Sequence, residues 1–467
     1  MCIKRTRIAG FGRCSLGVMR SRFRGRAIGS VVVGIVAACS FKLPRATPGD
    51  DVTPPPDAGP CQELGSACIG TTLRECTMKD MLPTDTTCAW GCLDGPPPHC
   101  GLLSPSGGAV LPSDLLPNGD LQDTTITSAM TITIDGEDGS IGNGADGVEV
   151  RDPGTGVNRG IDFIQRGNVS IFRFKSLTIK AKIHVIGNHS VALLAIDTMT
   201  ITNGIDVSCS SSTTSGPGGF DGGGRASDGS GSGGGKAGSG GSGDCSGGAG
   251  ASYGAAGGQG GSSDGTGNPP AGAVSGDLLI AALVGGAGGG GGGGNANDRG
   301  SGGGGGGALQ LAANQRISFT MNGAIDAGGC GGIHGNNKSC GGGGGAGGAI
   351  LIEAAVIELA DMAALGANGG GGGCGSGNGD GSDGALSTTR AKGGSGNANG
   401  GSGGAAGPPN LTGNPGDNDG SNGAGGGGGV GWIRIDTLTG TATIGPNVVI
   451  SPALGDATSS QGSAIIQ

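Results

Sequence analysis

The strongest constraint on this chain is a phrase written twice. Phe174, Ser176, Leu177, Ile179, Ile183 and Val185 return as Ile196, Thr198, Met199, Ile201, Ile205 and Val207, each displaced by 22 residues. Apolar and polar side chains alternate within both copies, which places one set on one face of a strand. Short strands at a fixed spacing of about 20–30 residues are the mark of a coil repeated along an axis. The phrase recurs with longer interruptions. Leu309–Ala313 is followed by Ile317-Ser318-Phe319 and Ile325-Asp326-Ala327; Ile350–Ala354 by Ile357-Glu358-Leu359 and Ala364–Ala367; Trp432–Thr437 opens a last copy. Thr124–Ile134 also alternates and reads as a first rung. Each copy is expected to supply two or three short strands and a turn, with Ile, Leu, Val and Ala forming a continuous dry column. The phenylalanines at 163, 172 and 174 place the densest packing between 160 and 207.

The interruptions are glycine blocks, at 216–268, 285–307, 328–348, 366–384 and 393–429. Glycine makes up 116 of the 467 residues, against an ordinary share of about 7%. Each block leaves one rung and returns to the next, so all are expected to emerge from one side. Two states stay open: disorder, because glycine loses the most entropy on ordering, or bundled polyglycine strands, where the missing side chain permits close backbone approach. The fold expected is all-β: a right-handed parallel β-helix, or solenoid, over residues 101–467 with long glycine-rich insertions of polyglycine II type, plus a small disulfide-rich module.

That module is residues 61–100, where Cys61, Cys68, Cys76, Cys88, Cys92 and Cys100 fall within 40 residues. Six cysteines and few apolar residues read as three disulfides of unassigned pairing. Zinc held by Cys88, Cys92, His99 and Cys100 is the rival reading. Further along, Cys209, Cys245, Cys330, Cys340 and Cys374 lie at rung exits or in glycine blocks. Neighbours in sequence suggest Cys330–Cys340 and Cys209–Cys245, leaving Cys374 free or intermolecular.

The N-terminal end reads as an export signal. Residues 1–26 carry eight Lys or Arg and no acid, and Ala27–Ala38 is an uncharged apolar run of 12 residues, too short to span a bilayer as a helix. Removing those eight charges from the formal −9 leaves −17, so the remaining chain repels nucleic acid. The run ends in Val36-Ala37-Ala38-Cys39, which resembles the lipobox of bacterial lipoproteins. The resemblance implies cleavage before Cys39, diacylglycerol on its thiol and an acylated amino group; Ser40 in place of Asp implies sorting to the outer membrane. Translation from Met19 in place of Met1 would give a more usual leader. Residues 1–38 are thus a lipoprotein signal peptide and 39–60, with prolines at 44, 48, 54, 55, 56 and 60, an extended tether.

Chemistry is sparse. Gly142–Val148 matches most of the calcium-binding nonapeptide of β-rolls, but once only; Asp135, Glu137, Asp138 and Asp146 form a candidate calcium set. Asp417-Asn418-Asp419 is similar in kind. The four histidines show no metal or triad spacing, and His184 should point outward. Asp162, Arg173, Lys175, Lys180, Lys182 and Asp197 are the main charged set on the early rungs. With one tyrosine and two tryptophans, the aromatic platforms usual in sugar sites are scarce.

The runs Gly285–Gly289, Gly344–Gly348 and Gly423–Gly427 resemble the glycine-rich PGRS-type repeats of bacterial surface proteins, over roughly residues 216–430. No secretion domain of the PE type precedes them. The resemblance implies a cell-surface protein, structural or adhesive, without catalysis, whose partners are a membrane through the lipid anchor and a surface polysaccharide or protein. A polysaccharide-active β-helix enzyme, lyase or hydrolase, is the alternative. Converging Asp, Arg and Lys in a lateral groove would favour it.

Overall fold

The computed structural model describes residues 60–143, 147–263, 266–405 and 410–467. The signal peptide, Cys39, the tether up to residue 59 and Asp146 lie outside the described residues. The described chain is nearly all β; its helical element is one short turn, Pro112–Leu115.

The 22-residue phrase is a structural period. Leu177, Thr178 and Ile179 pair in parallel with Met199, Thr200 and Ile201, and Leu177 and Met199 are both buried. The repeated segments supply strands to three parallel stacks, or faces; the first two share one twelve-stranded sheet and the third lies in an eight-stranded one. The first face stacks Val169–Phe174, Ser190–Ala195, the first part of Ala308–Phe319, the first part of Ala349–Leu359, Trp432–Thr437 and Ser459–Ser463. The second stacks Asp123–Ile126, Ser176–Ile179, Thr198–Ile201, the remainder of the two long strands, and Thr443–Ile444. The third stacks Ile132–Asp135, Ile183–Ile186, Gly204–Asp206, Ala324–Asp326, Ala364–Gly366 and Val449–Ser451. Alternation turns Ile, Leu, Val and Phe side chains from all three faces into one buried column. Antiparallel hairpins cover its N-terminal end. There Phe163 meets Phe172 at 4.7 Å between ring centroids.

The glycine blocks all leave after the third face and return to the first, at residues 207–307, 327–348 and 367–431. Their glycine runs, such as 285–294, 302–307 and 341–348, are buried. Their hydrogen bonds follow a three-residue period, as expected of a helix with three residues per turn. In one segment Cys340, Gly343 and Ala346 donate to Gly293, Gly290 and Ala287; Gly341, Gly344 and Gly347 donate to Gly423, Gly426 and Gly429; Gly342, Gly345 and Gly348 donate to Ile333, Cys330 and Ala327. One segment thus has a different neighbour on each third of its circumference. Glycine is required by the spacing: a Cβ on Gly344 would lie 2.2 Å from the Gly370 carbonyl oxygen. Alanine appears where the bundle meets the coil, as Ala251, Ala287 and Ala346 join Ala308, Ala349, Leu351 and Trp432 in one apolar layer.

The six-cysteine module is a three-stranded antiparallel sheet, Gly65–Ile69, Thr72–Cys76 and Thr84–Thr87, with disulfides Cys61–Cys76, Cys68–Cys92 and Cys88–Cys100. The bonded thiols leave no Cys set for zinc there. In the bundle the pairing suggested by sequence proximity is overturned. Cys209 bonds Cys330 and Cys245 bonds Cys340, because the hydrogen-bonded lattice, not the chain, decides which thiols are neighbours. Cys374 is unbonded and buried, so it is not presented to another molecule.

Candidate functional site: the lateral groove

The corner between the first and second faces builds a column of outward side chains. The coil interior is already full, so the one or two residues that turn each corner point away from it. Lys175 turns one corner, Ile196-Asp197 the next and Asn314-Gln315 the third, where the register against the following strand shifts. Their backbones stack: Asp197 N donates to Lys175 O at 2.8 Å, and Gln315 N donates to Asp197 O at 3.0 Å. Segments from earlier in the chain wall this corner. A depression of about 400 Å³ lies among Pro117, Asn118, Leu121, Lys175 and Asp197. A second, of about 390 Å³, lies among Thr87, Ala89, Thr198, Gln315, Arg316 and Val356. They meet where Gln315 Nε2 donates to Asp197 Oδ1 at 3.3 Å.

Two ion pairs flank this groove, while the Asp197 carboxylate is met by the neutral Gln315 amide. Lys175 Nζ lies 3.2 Å from Asp123 Oδ2, and Arg316 pairs with Glu358. Hydrogen bonds from Lys175 and Ser176 hold Asp123 below the usual carboxylate range, and Arg316 does the same for Glu358. Both acids stay ionised at neutral pH, and neither is poised as a proton donor. Such a groove offers fixed donors and acceptors to a hydroxyl-rich chain.

Of the early-rung charges, the structure brings only Lys175 and Asp197 into this groove. Arg173 is turned to Asp162 at 2.8 Å and donates from Nε to the Asp114 carbonyl at 2.7 Å. With Arg166–Asp114 at 2.6 Å, it fastens the entry segment to the first face. Burial raises the Asp114 carboxyl, but the hydrogen bonds from Arg166 and the Leu111 amide, with the charges of Arg166 and Arg173, together bring it below its ordinary value.

The three described calcium candidates, Asp135, Glu137 and Asp138, share one tight turn, and each serves the backbone. Asp135 Oδ1 accepts from Glu137 N at 2.7 Å, Asp138 Oδ1 from Ser140 N at 2.8 Å, and Glu137 Oε1 from Asn188 N at 2.5 Å. Glu137 also faces His189 Nδ1 at 3.1 Å. Asn418 of the later acidic run accepts from Ser262 N and Asn268 Nδ2. Among the described residues, one group of three metal-type ligands comes together, Cys209, Cys330 and Asp383, and its two cysteines are bonded to each other.

A second column runs up the third face. His184, Asp206 and Asp326 stand in register, with His184 Nδ1 3.8 Å from Asp206 Oδ2. Burial raises Asp206, yet bonds from His184 and Ser208 bring it below its ordinary value. Asp326 is driven to about 7 by burial and by the neighbouring Asp206.

Two buried charged groups carry no periodic signal. Arg151, fully buried, gives its guanidinium to the carbonyls of Gly139, Asp152, Gly154, Gly156 and Ile161 at 2.6–3.3 Å. Glu353 sits behind the entry segment, accepting from Ser106 N at 2.9 Å and Gln310 Nε2 at 2.7 Å. Burial pushes its carboxyl up to about 7. A charge inside the run Ile350–Ala354 was the available clue.

Comparisons with protein-family models, with curated proteins and with solved structures each find no match.

Proposed function

We propose that this chain is a lipid-anchored structural or adhesive protein of the bacterial cell surface, without catalysis. It is read as a right-handed parallel β-helix whose insertions form a polyglycine II bundle, of the PGRS-type class of surface proteins. The observation that carries the reading is the bundle. More than a hundred residues are given to a hydrogen-bonded lattice that is fixed to one corner of the coil and closed by two disulfides. Such a body resists extension and presents a rigid surface. Disulfides in that number suit an oxidising, extracytoplasmic setting. The ion pairs Lys175–Asp123 and Arg316–Glu358 at the groove favour holding over turning over, because both carboxylates are kept ionised by their partners. A surface polysaccharide or another surface protein is the partner class, and nucleic acid is disfavoured by the acidic balance.

The test is protease shaving and antibody labelling of intact cells, with mass spectrometry of Cys39 for its acyl chains. A protein shielded from both reagents, with an unmodified Cys39, would sink the reading. The enzyme alternative is tested by incubating the purified protein with a panel of surface polysaccharides. Chain shortening that disappears in Lys175→Ala and Asp197→Ala would replace adhesion with lyase or hydrolase chemistry.

A further inference from the structure

The six-cysteine module carries an apolar tip. Leu64 is 66% exposed, Met78 62%, Met81 57% and Leu82 75%. Single exposed apolar side chains are ordinary, but these four share one end of the sheet. Gly65 pairs with Cys76, so Leu64 and Met78 flank the same strand ends. Cys61 N donates to Met81 O at 2.7 Å, and Asp80 N donates to Cys61 O at 2.9 Å. That brings the Met81–Leu82 loop to the same place, and the Cys61–Cys76 disulfide fixes it there.

We propose that this tip rests in the surface of the lipid bilayer to which the chain is anchored. The proposal depends on the reading of Cys39 as the lipid-bearing residue. The argument for lipid is the path of the chain. It enters the described structure at Pro60 and Cys61, at the apolar end of the module, and residues 40–60 separate that point from Cys39. A tether of this length averages roughly 25 Å as a flexible coil and reaches about 65 Å fully extended in polyproline form. The apolar end is therefore the part of the described chain closest to the anchor along the sequence. Glu63, Lys79 and Asp80 are the formal charges beside it, a nearly neutral set that suits a zwitterionic headgroup layer better than a charged protein partner. Tethering makes docking intramolecular, so even a weak preference for lipid keeps the tip seated.

The experiment uses the mature chain from Cys39, coupled through that thiol to a maleimide lipid in phosphatidylcholine vesicles whose acyl chains are brominated. Coupling is selective, since the other cysteines of 39–467 are disulfide-bonded apart from buried Cys374. Trp90 and Trp432 are buried and give the background. Leu82→Trp should show blue-shifted emission quenched at least about twofold by the brominated lipid. Ile69→Trp, at the opposite end of the Gly65–Ile69 strand, should not. Equal, unquenched emission from both would overturn the proposal, and concentration-dependent dimers that vanish in Leu82→Ser would assign the tip to a second copy. Mass spectrometry of Cys39 from cells separately tests the anchor. Quenching with an unacylated native Cys39 would keep the tip and reject the anchor.

Discussion

The bundle makes a sharp prediction about single methyl groups. A Cβ built on Gly343 falls 2.0 Å from the carbonyl oxygen of Ala249, where ordinary contact begins at 3.4 Å. In Gly343→Ala the segment must retreat by roughly the difference, about 1.4 Å. The seam it shares with residues 246–252 is held by Gly248 N to Gly341 O and Ala251 N to Gly344 O, both 2.9 Å. Such a retreat takes both beyond hydrogen-bond range, and the site is too enclosed for water to replace them. Two buried backbone bonds left unmade at about 1–3 kcal/mol each give a loss of roughly 2–6 kcal/mol. Gly224→Ala is the matched control. It lies in the same bundle, is exposed, and its Cβ would meet nothing within 4 Å. There the change should be neutral or stabilise by up to about 1 kcal/mol, through the unfolded chain. Guanidinium unfolding under non-reducing conditions, with hydrogen exchange read over 341–348, measures both. If the two variants unfold within about 0.5 kcal/mol of each other, the close-packed account of the glycine blocks is wrong.

Replacing Cys245 and Cys340 together by serine opens a loop of 95 residues and should cost up to about 4.7 kcal/mol on the chain-entropy account, read as a lowered denaturation midpoint. Arg151→Met leaves five buried carbonyls without their donor and should destabilise by about 3 kcal/mol or more, with exchange protection lost first in 139–161. Glu353 and Asp326 have folded values near 7, above their unfolded ones. The folded state therefore binds more protons than the unfolded state between about pH 4 and 7, and stability should fall as pH rises through that window. Glu353→Gln should flatten its part of this slope and gain on the order of 1–3 kcal/mol at pH 8. A denaturation series from pH 5 to 8 that is level in the parent protein would refute it.

Legibility followed the range of the interactions. The parallel pairing of the repeated strands could be read because alternation and a 22-residue return are written locally, and Leu177 beside Met199 needs no distant information. The order of the glycine blocks could not be read that way, since a residue without a side chain has no face to pattern. Its partners, such as Gly343 with Gly290 and Gly303, are fixed by the three-neighbour lattice. The crossed disulfides failed for the same reason. The groove was half legible: Lys175 and Asp197 were in the charged set, whereas Gln315 and Arg316 meet them only once the intervening block is folded away. Arg151 gave no advance signal, because its partners are main-chain carbonyls.

The placement of the detours has a consequence for how such a chain can be remodelled. Every detour departs and returns at the same corner, between coils one strand spacing apart, about 4.8 Å. An exposed turn of the lattice, such as residues 224–228, should tolerate shortening or exchange without shifting the strand register. The central pass at 340–348 touches three neighbours and admits no such surgery. Variation in length should therefore accumulate at the periphery, leaving that pass as the fixed axis around which new material is laid down.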